Sequence, residues 1–190
     1  MRKLKLQTQI TVDGFTAGPN GELDWMTWDM DEKLSQYINS ITDTSDTILL
    51  GRKMTEGFIT HWTNVRKLPD DPGYEFAHKM MDKPKVVFTK TLEKSEWENT
   101  ELAKGNLSDE INSLKKQDGG DIIVYGGAGF VASLISERLI DEFHLFVNPA
   151  AIGSGMSIFK GLDSTQKLNL INCTPYECGI AVLVYEKKDI

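Results

Sequence analysis

Hydrophobic and polar residues alternate strictly through the first segment of the chain, residues 3–12. One set of side chains consists of Leu4, Leu6, Thr8, Ile10 and Val12. The other set consists of Lys3, Lys5, Gln7, Gln9 and Thr11. A period of two over this length predicts a β-strand with one drier face.

Short apolar runs recur along the rest of the chain and predict further strands. The runs 47–50, 85–88 and 122–125 are continuous, as in strands buried on both faces of a parallel sheet. Helical spacing separates these runs, so we predict an α/β fold with a mainly parallel sheet. Late strands are predicted at 142–147, 168–173 and 178–187. Their close succession predicts an antiparallel edge at the C-terminal end of the sheet.

Residues 15–25 form a predicted loop that carries apolar side chains among turn residues, which indicates a flap that packs against something. After it, either Asp29 or Asp31 can cap a helix. The inner face of that helix is predicted to hold Met30, Leu34, Tyr37, Ile38 and Ile41. Residues 62–73 are predicted as a connecting loop, followed by a short helix over 74–81.

Length and composition narrow the class of protein. A chain of 190 residues suits one domain, 1–190, and its net charge of −7 argues against general binding to nucleic acid or anionic membranes. No apolar run is long enough to span a membrane, and the alternating N-terminus does not resemble a secretory signal, so we expect a cytoplasmic protein. The two cysteines, Cys173 and Cys178, are expected to be reduced. No metal site is predicted, and His144 is expected to play a hydrogen-bonded structural role.

Three predicted strands end on loops that suit a phosphate ligand. The loops carry Gly51-Arg52-Lys53, Thr89-Lys90 and Gly126-Gly127-Ala128-Gly129. Ligands of open parallel sheets bind at the carboxyl ends of the strands, and glycine turns leading into helices expose N–H donors to anions. The alternative is that the glycine turn binds nothing and the basic residues are solvated surface groups. Together, the glycine and basic loops favour a phosphate site.

Four segments in this order resemble the dihydrofolate reductase-like superfamily: 10–15, 48–56, 124–129 and 139–155. The resemblance is greatest to the reductase domain of bacterial riboflavin-biosynthesis deaminase-reductases. It implies a three-layer α/β/α fold, NADPH as cofactor, hydride transfer and, for the riboflavin-like branch, a homodimer. In that dimer we expect 139–159 to present Phe143, Phe146 and Phe159 to the partner.

The resemblance also assigns roles to particular positions. It implies a cofactor site formed by Thr16, Ala17, Gly51, Arg52, Lys53, Thr89, Lys90, Gly126, Gly127, Ala128, Gly129 and Phe130. Trp25 matches a tryptophan of the flap. The acidic proton-relay position falls closest to Asp31 by spacing from Trp25, with Glu32 and Lys33 as alternatives.

The hypothesis that follows is an NADPH-dependent reductase that transfers hydride to a planar heterocycle, such as a pteridine, a pyrimidine or a riboflavin precursor. Its substrate would bind in a cleft between the flap and the first helix. The competing hypothesis is a non-catalytic, dimeric regulatory protein that keeps the NADP pocket and lacks the proton donor.

Overall fold

The computed structural model describes residues 1–188, which form one eight-stranded sheet and five helices. The strands are β1 (Leu4–Thr11), β2 (Ser45–Gly51), β3 (Lys85–Phe88), β4 (Thr100–Ala103), β5 (Asp121–Gly126), β6 (Glu142–Asn148), β7 (Leu168–Pro175) and β8 (Ala181–Lys187). The helices are α1 (Glu32–Asp43), α2 (Arg52–Val65), α3 (Tyr74–Asp82), α4 (Leu107–Lys116) and α5 (Ala128–Ser136).

The sheet order is β4-β3-β2-β5-β1-β6-β8-β7. Neighbouring strands from β4 to β6 are parallel, whereas β8 pairs antiparallel with both β6 and β7. Both the predicted parallel sheet and its antiparallel C-terminal edge are therefore confirmed. The first strand of the chain lies inside the sheet, between β5 and β6.

Helices cover both faces of the sheet, which confirms the three-layer α/β/α architecture. One apolar cluster packs side chains of α1, α2 and α3 against the sheet, and includes Leu34, Phe58 and Met80. The cluster on the opposite face contains residues of α4 and α5, such as Ile111 and Leu134. Even-numbered residues of β1 face this second cluster, so its odd-numbered residues point toward α1 and α2.

Both faces of β1 are buried, which corrects the prediction of a single drier face. Lys5 and Gln7 are buried because α1 and α2 cover a surface that the sequence pattern assigns to water. The predicted loop over 62–73 is also partly wrong, since α2 continues as far as Val65. Trp62 lies in this helix, and its ring packs against that of Phe76 in α3 with 5.2 Å between ring centroids, a contact that favours continuation of α2 through this turn.

Three phenylalanines were predicted to face a partner chain, and for two of them this prediction is wrong. Phe143 is 2% exposed and Phe146 is 0% exposed, because β6 lies between β1 and β8 with a helix layer on each side. Phe159 is partly buried against the core. The exposed apolar residues of the sheet edge are Leu170 and Ile171 of β7. Within residues 1–188, no helix is long and apolar enough to cross a membrane.

Candidate cofactor and active site

The three predicted phosphate-binding loops lie side by side in the structure. They follow β3, β2 and β5, which are adjacent and parallel. Their carboxyl ends therefore share one edge of the sheet, as the sequence predicts. The flap leaves the same edge, because β1 is parallel to β5 and pairs with it.

These loops also contact one another. A Cβ atom built on Gly51 would lie 2.8 Å from Cβ of Phe130, and one built on Gly127 would lie 3.9 Å from Cα of Gly51. The ring of Phe130 stacks on that of Phe88, with 4.9 Å between ring centroids. Residues from the ends of three strands thus form one contiguous patch.

Two helices begin at this patch with free N-termini. Gly51 precedes α2 and Gly127 precedes α5; neither helix has a side-chain cap or an acidic residue in its first turn. In contrast, Asp31 caps α1 and Asn106 caps α4, and both of those helices begin with acidic residues. Gly127 has φ of 26°, which favours a residue without a Cβ atom. Exposed N–H groups and the positive ends of two helix dipoles make this patch a site for an anion.

Basic side chains stand beside the two helix N-termini. Arg52 and Lys53 open α2, and Lys90 follows β3. All three are exposed, and none makes a side-chain hydrogen bond or ion pair within residues 1–188. Their charges are therefore available to a phosphate.

The predicted site residue Thr89 shapes the turn after β3. It is buried, and its hydroxyl oxygen accepts hydrogen bonds of 3.1 Å from the N–H groups of Thr91 and Leu92. A surface cavity of about 560 Å³ begins directly after it. Its lining consists of Thr91, Leu92, Glu93, Lys94, Glu96 and Trp97. The two carboxylates disfavour phosphate there, whereas the indole offers a flat apolar surface.

One residue of the patch was missed by the sequence analysis. The N–H of Gly127 donates to Sδ of Met54, 3.3 Å away, and a Cβ atom on Gly126 would lie 2.9 Å from the same sulfur. Met54 therefore packs against the glycine turn and sets its position relative to α2. Only its place in the Gly-Arg-Lys-Met segment could have drawn attention to it.

The base of the flap is tied to the loop after β6. The N–H of Thr16 donates to the carbonyl of Met156, and the N–H of Met156 donates to the carbonyl of Ala17, both at 2.8 Å. Carboxylate oxygens of Asp13 accept from the N–H groups of Ile152 and Gly153. The pKa of Asp13 is lowered mainly by its side-chain hydrogen bond with Thr11, and further by these backbone bonds. Thr16 and Ala17 are thus held in a fixed backbone position at the edge of the sheet.

Asp31 is the N-cap of α1, which confirms one of the two predicted alternatives, Asp29 or Asp31. Its Oδ1 accepts from the N–H of Leu34 at 2.9 Å, and its Oδ2 accepts from the N–H of Cys178 at 3.2 Å. The hydrogen bond from Leu34 is the main cause that lowers the pKa of Asp31. A carboxylate stabilised in this way is ionised near neutral pH, which works against its use as an acid. Its role as a proton donor stays a prediction.

A row of buried polar side chains lies on the face of β1 and β6 beneath α1, and the sequence analysis gave it no function. Nδ2 of Asn148 donates to Oε1 of Gln9 at 2.7 Å, and Oδ1 of Asn148 accepts from the N–H of Thr27 at 2.9 Å. These bonds fix the segment between flap and helix to the end of β6. The polar residues at odd positions of β1 are visible in the sequence. Only the central position of β1 in the sheet shows that they are covered by a helix and do not face water.

His144 has the hydrogen-bonded role that was expected of it. Its Nδ1 lies 2.7 Å from the hydroxyl of Tyr37, and its Nε2 lies 2.7 Å from Oε1 of Glu142. Burial raises the pKa of Tyr37 to about 12, while the hydrogen bond from His144 lowers the pKa of Glu142 to about 2. Within residues 1–188, no cluster of His, Cys, Asp and Glu is arranged to hold a metal ion.

The sheet order, the helix layers and the glycine patch together define an α/β protein with the dihydrofolate reductase-like fold. Residues 2–182 match the RibD C-terminal domain family, and the chain belongs to that family. It is 34% identical over 189 residues to the uncharacterized protein YyaP of Bacillus subtilis, covering 97% of this chain and 94% of that protein.

Solved structures share the fold. A putative riboflavin biosynthesis protein from Shewanella sp. PV-4 matches with a TM-score of 0.72 and 22% identity over the full length of both chains. Dihydrofolate reductase from Enterococcus faecalis, complexed with NADP(H), matches with a TM-score of 0.64 and 17% identity, covering 98% of this chain and 97% of that one. Family membership and this fold support an oxidoreductase of the reductase type.

Proposed function

We propose that this protein is an NADPH-dependent reductase that transfers hydride to a planar heterocycle of the pteridine, pyrimidine or riboflavin-precursor kind. The observation that carries the proposal is the convergence of two uncapped helix N-termini, at Gly51 and Gly127. Beside them lie the exposed cations Arg52 and Lys53, whose side chains have no partner among residues 1–188. A dinucleotide with an additional phosphate matches this charge pattern.

The residues of the patch fit such a cofactor. Gly51 and the turn 126–129 would hold the pyrophosphate on backbone N–H groups, and Phe130 would maintain the spacing between them. Arg52, Lys53 and Lys90 would bind the phosphate of the adenosine ribose. When bound, NADPH supplies the hydride.

The chain itself would contribute orientation and exclusion of water. Thr16 and Ala17 lie at the base of the flap, and their backbone bonds to Met156 keep that base fixed. Residues 18–25 can then close over the ring while the base holds its position. Correct placement of two reacting carbons provides much of the rate acceleration in such a reaction. Since both oxygens of Asp31 already accept backbone N–H groups, we expect the proton to come from water in the cleft.

A non-catalytic NADP-binding regulator remains the second candidate, and the engagement of Asp31 as a cap favours it. The two candidates are separated by mixing the protein and NADPH with a panel of electron-poor pteridines and pyrimidines. Loss of the near-ultraviolet absorbance of NADPH, dependent on both protein and heterocycle, is expected of a reductase. Binding of NADPH without oxidation by any compound would support the regulator, and no binding would refute both.

We also propose a homodimer, formed through β7 instead of the aromatic residues of β6. β7 is one of the two edge strands of the sheet, and Leu170 and Ile171 are each 56% exposed on it. The register with β8 shifts between Leu170 and Asn172, which indicates a bulge that turns consecutive apolar side chains outward. An exposed apolar edge strand favours association with another chain.

A further inference from the structure

The side chain of Met54 occupies a backbone donor of the glycine turn. Its Sδ accepts a hydrogen bond from the N–H of Gly127, 3.3 Å away. Met54 lies in the first turn of α2 and Gly127 directly precedes α5, so the contact joins the N-termini of the two helices. The next three N–H groups donate to no acceptor within residues 1–188; they belong to Ala128, Gly129 and Phe130. One of four neighbouring donors is therefore taken by a sulfur atom.

A thioether is a weak partner for this donor. Methionine sulfur is a poor acceptor, whereas a phosphate oxygen is charged and binds an N–H group about twice as strongly as a neutral acceptor does. The positive ends of two helix dipoles increase this difference in favour of an anion. A phosphate oxygen that takes the N–H of Gly127 therefore replaces the sulfur of Met54 with a stronger acceptor.

The sulfur of Met54 is held in place and can still leave. A Cβ atom built on Gly126 would lie 2.9 Å from Sδ, so the sulfur fills the space that a side chain at position 126 would need. Met54 also packs at the margin of the apolar cluster that contains Phe58. The residue is only half-buried, and its side chain has three rotatable bonds, so its end can turn while α2 stays where it is. Side-chain rotation alone frees the N–H of Gly127.

We infer that Met54 is an internal competitor of the cofactor's pyrophosphate: its sulfur occupies the N–H of Gly127 and turns away when the pyrophosphate binds there. The inference rests on the proposed function. Met54 is thus a positioning residue that sets the affinity of the glycine turn for the pyrophosphate. A stronger acceptor at position 54 weakens cofactor binding, and a side chain without an acceptor strengthens it. A residue that only filled space would show no such dependence on acceptor strength.

Two substitutions of Met54 with opposite expected effects test this. Met54→Leu keeps the apolar volume and removes the acceptor, so it should bind NADP⁺ about three- to tenfold more tightly than the wild type. Met54→Gln places a carboxamide oxygen, a stronger acceptor, on a side chain of similar length, and should bind NADP⁺ about three- to tenfold more weakly. Calorimetric titration gives the affinities. An unchanged or lowered affinity of Met54→Leu would overturn the inference, and this variant decides alone if Met54→Gln does not fold.

A control ligand and a control variant accompany these titrations. Adenosine 2′-monophosphate carries the ribose phosphate without a pyrophosphate, so it should bind the wild type and both Met54 variants alike. Met81 of α3 is the matched methionine, because its Sδ also accepts a hydrogen bond, from the hydroxyl of Thr63 at 3.8 Å. Met81→Leu should leave the affinity for NADP⁺ unchanged. A gain equal to that of Met54→Leu would overturn the inference, since loss of any thioether would then have the same effect.

Rotation of Met54 can be observed directly in the wild-type protein. The chain is labelled with ¹³C at the methionine methyl groups, whose carbon resonances report the rotamer of the last side-chain torsion. The resonance of Met54 is identified by its loss in Met54→Leu. We expect it to shift when NADP⁺ saturates the protein and to stay in place with adenosine 2′-monophosphate, while that of Met80, which is fully buried, is unchanged by either. An unchanged Met54 resonance with NADP⁺ bound would refute the displacement.

Failure of this inference and failure of the proposed function give different results. If neither NADP⁺ nor NADPH binds the wild type, the proposed function is wrong, and titration of the same variants with inorganic pyrophosphate then tests Met54 by itself. If NADP⁺ binds the wild type, Met54→Leu and Met54→Gln equally well, the reductase proposal stands and the role of Met54 is refuted. A lowered Tm of both variants with unchanged NADP⁺ affinity would assign Met54 a purely structural role.

Discussion

A side chain at position 51 has no room beside Phe130, because a Cβ atom there would lie 2.8 Å from Cβ of Phe130. The backbone of Gly51 has φ of −76° and ψ of 138°, which any residue can adopt, so contact and not conformation requires glycine. We expect Gly51→Ala to displace Phe130, lower stability by about 1–3 kcal/mol and weaken NADPH binding. Thermal unfolding and cofactor titration measure the two effects.

The control for this variant lies in the same helix. A Cβ atom on Gly57 would meet no atom within 4 Å, so Gly57→Ala should stabilise the protein by about 0.5–1 kcal/mol and leave cofactor binding unchanged. Identical behaviour of the two variants would contradict the proposed packing of the patch.

Arg52 and Lys53 should decide the preference for NADPH over NADH. Each can form a charge-assisted bond to the additional phosphate, and both are solvent-screened, so we expect each Ala variant to lose roughly tenfold in NADPH affinity. NADH affinity should change little. Titration of both cofactors at low salt gives the answer, and Lys67→Ala, beyond the opposite end of α2, is the control. Equal loss for both cofactors would argue against a phosphate contact.

Asp31→Asn should have a small effect on turnover. Asparagine caps a helix about as well as aspartate, although its amide cannot accept both the bonds from Leu34 and Cys178. We expect the single-turnover rate of NADPH oxidation to fall by less than about tenfold, whereas loss of a general acid costs roughly 10²–10⁴-fold. A decrease in that larger range, with cofactor affinity intact, would establish Asp31 as the proton donor.

Glu142 should make the fold sensitive to acid. Its pKa is lowered from 4.5 to about 2, so the stability it provides is complete above its ordinary pKa and is lost as the pH falls toward 2. The shift corresponds to an upper limit of about 3 kcal/mol. As the pH is lowered from 4.5 to about 2, Tm should therefore fall less steeply for Glu142→Gln than for the wild type. Glu177→Gln, at an exposed surface ion pair, should follow the wild-type curve; parallel curves for all three would refute the role of Glu142.

Ile171→Lys should dissociate the proposed dimer. A charge on the bulged edge strand must be desolvated if two copies pair there, so this variant should sediment as a monomer of 21.3 kDa while the wild type sediments at twice that mass. Leu68→Lys, at a comparably exposed site in a loop, should remain dimeric. A monomeric wild type at micromolar concentration would refute the dimer.

Local patterns in the sequence were sufficient for the strands and for the phosphate-binding loops. Alternating and continuous apolar runs, helical spacing and glycine turns depend on neighbouring residues, which is why β3, β5 and the loop 126–129 follow the prediction. Adjacency of the three loops was also predictable, since parallel strands bring their carboxyl ends to one edge. The resemblance to reductases supplied the family.

Only the tertiary structure decided the features that depend on the order of strands in the sheet. The polar face of β1 is buried, and Phe143 and Phe146 are interior, because β1 and β6 are central strands covered by two helix layers. A sequence pattern cannot distinguish a face that meets water from one that meets a helix. The contact of Gly51 with Phe130 arises for the same reason, since it joins residues far apart in the chain that only packing brings together.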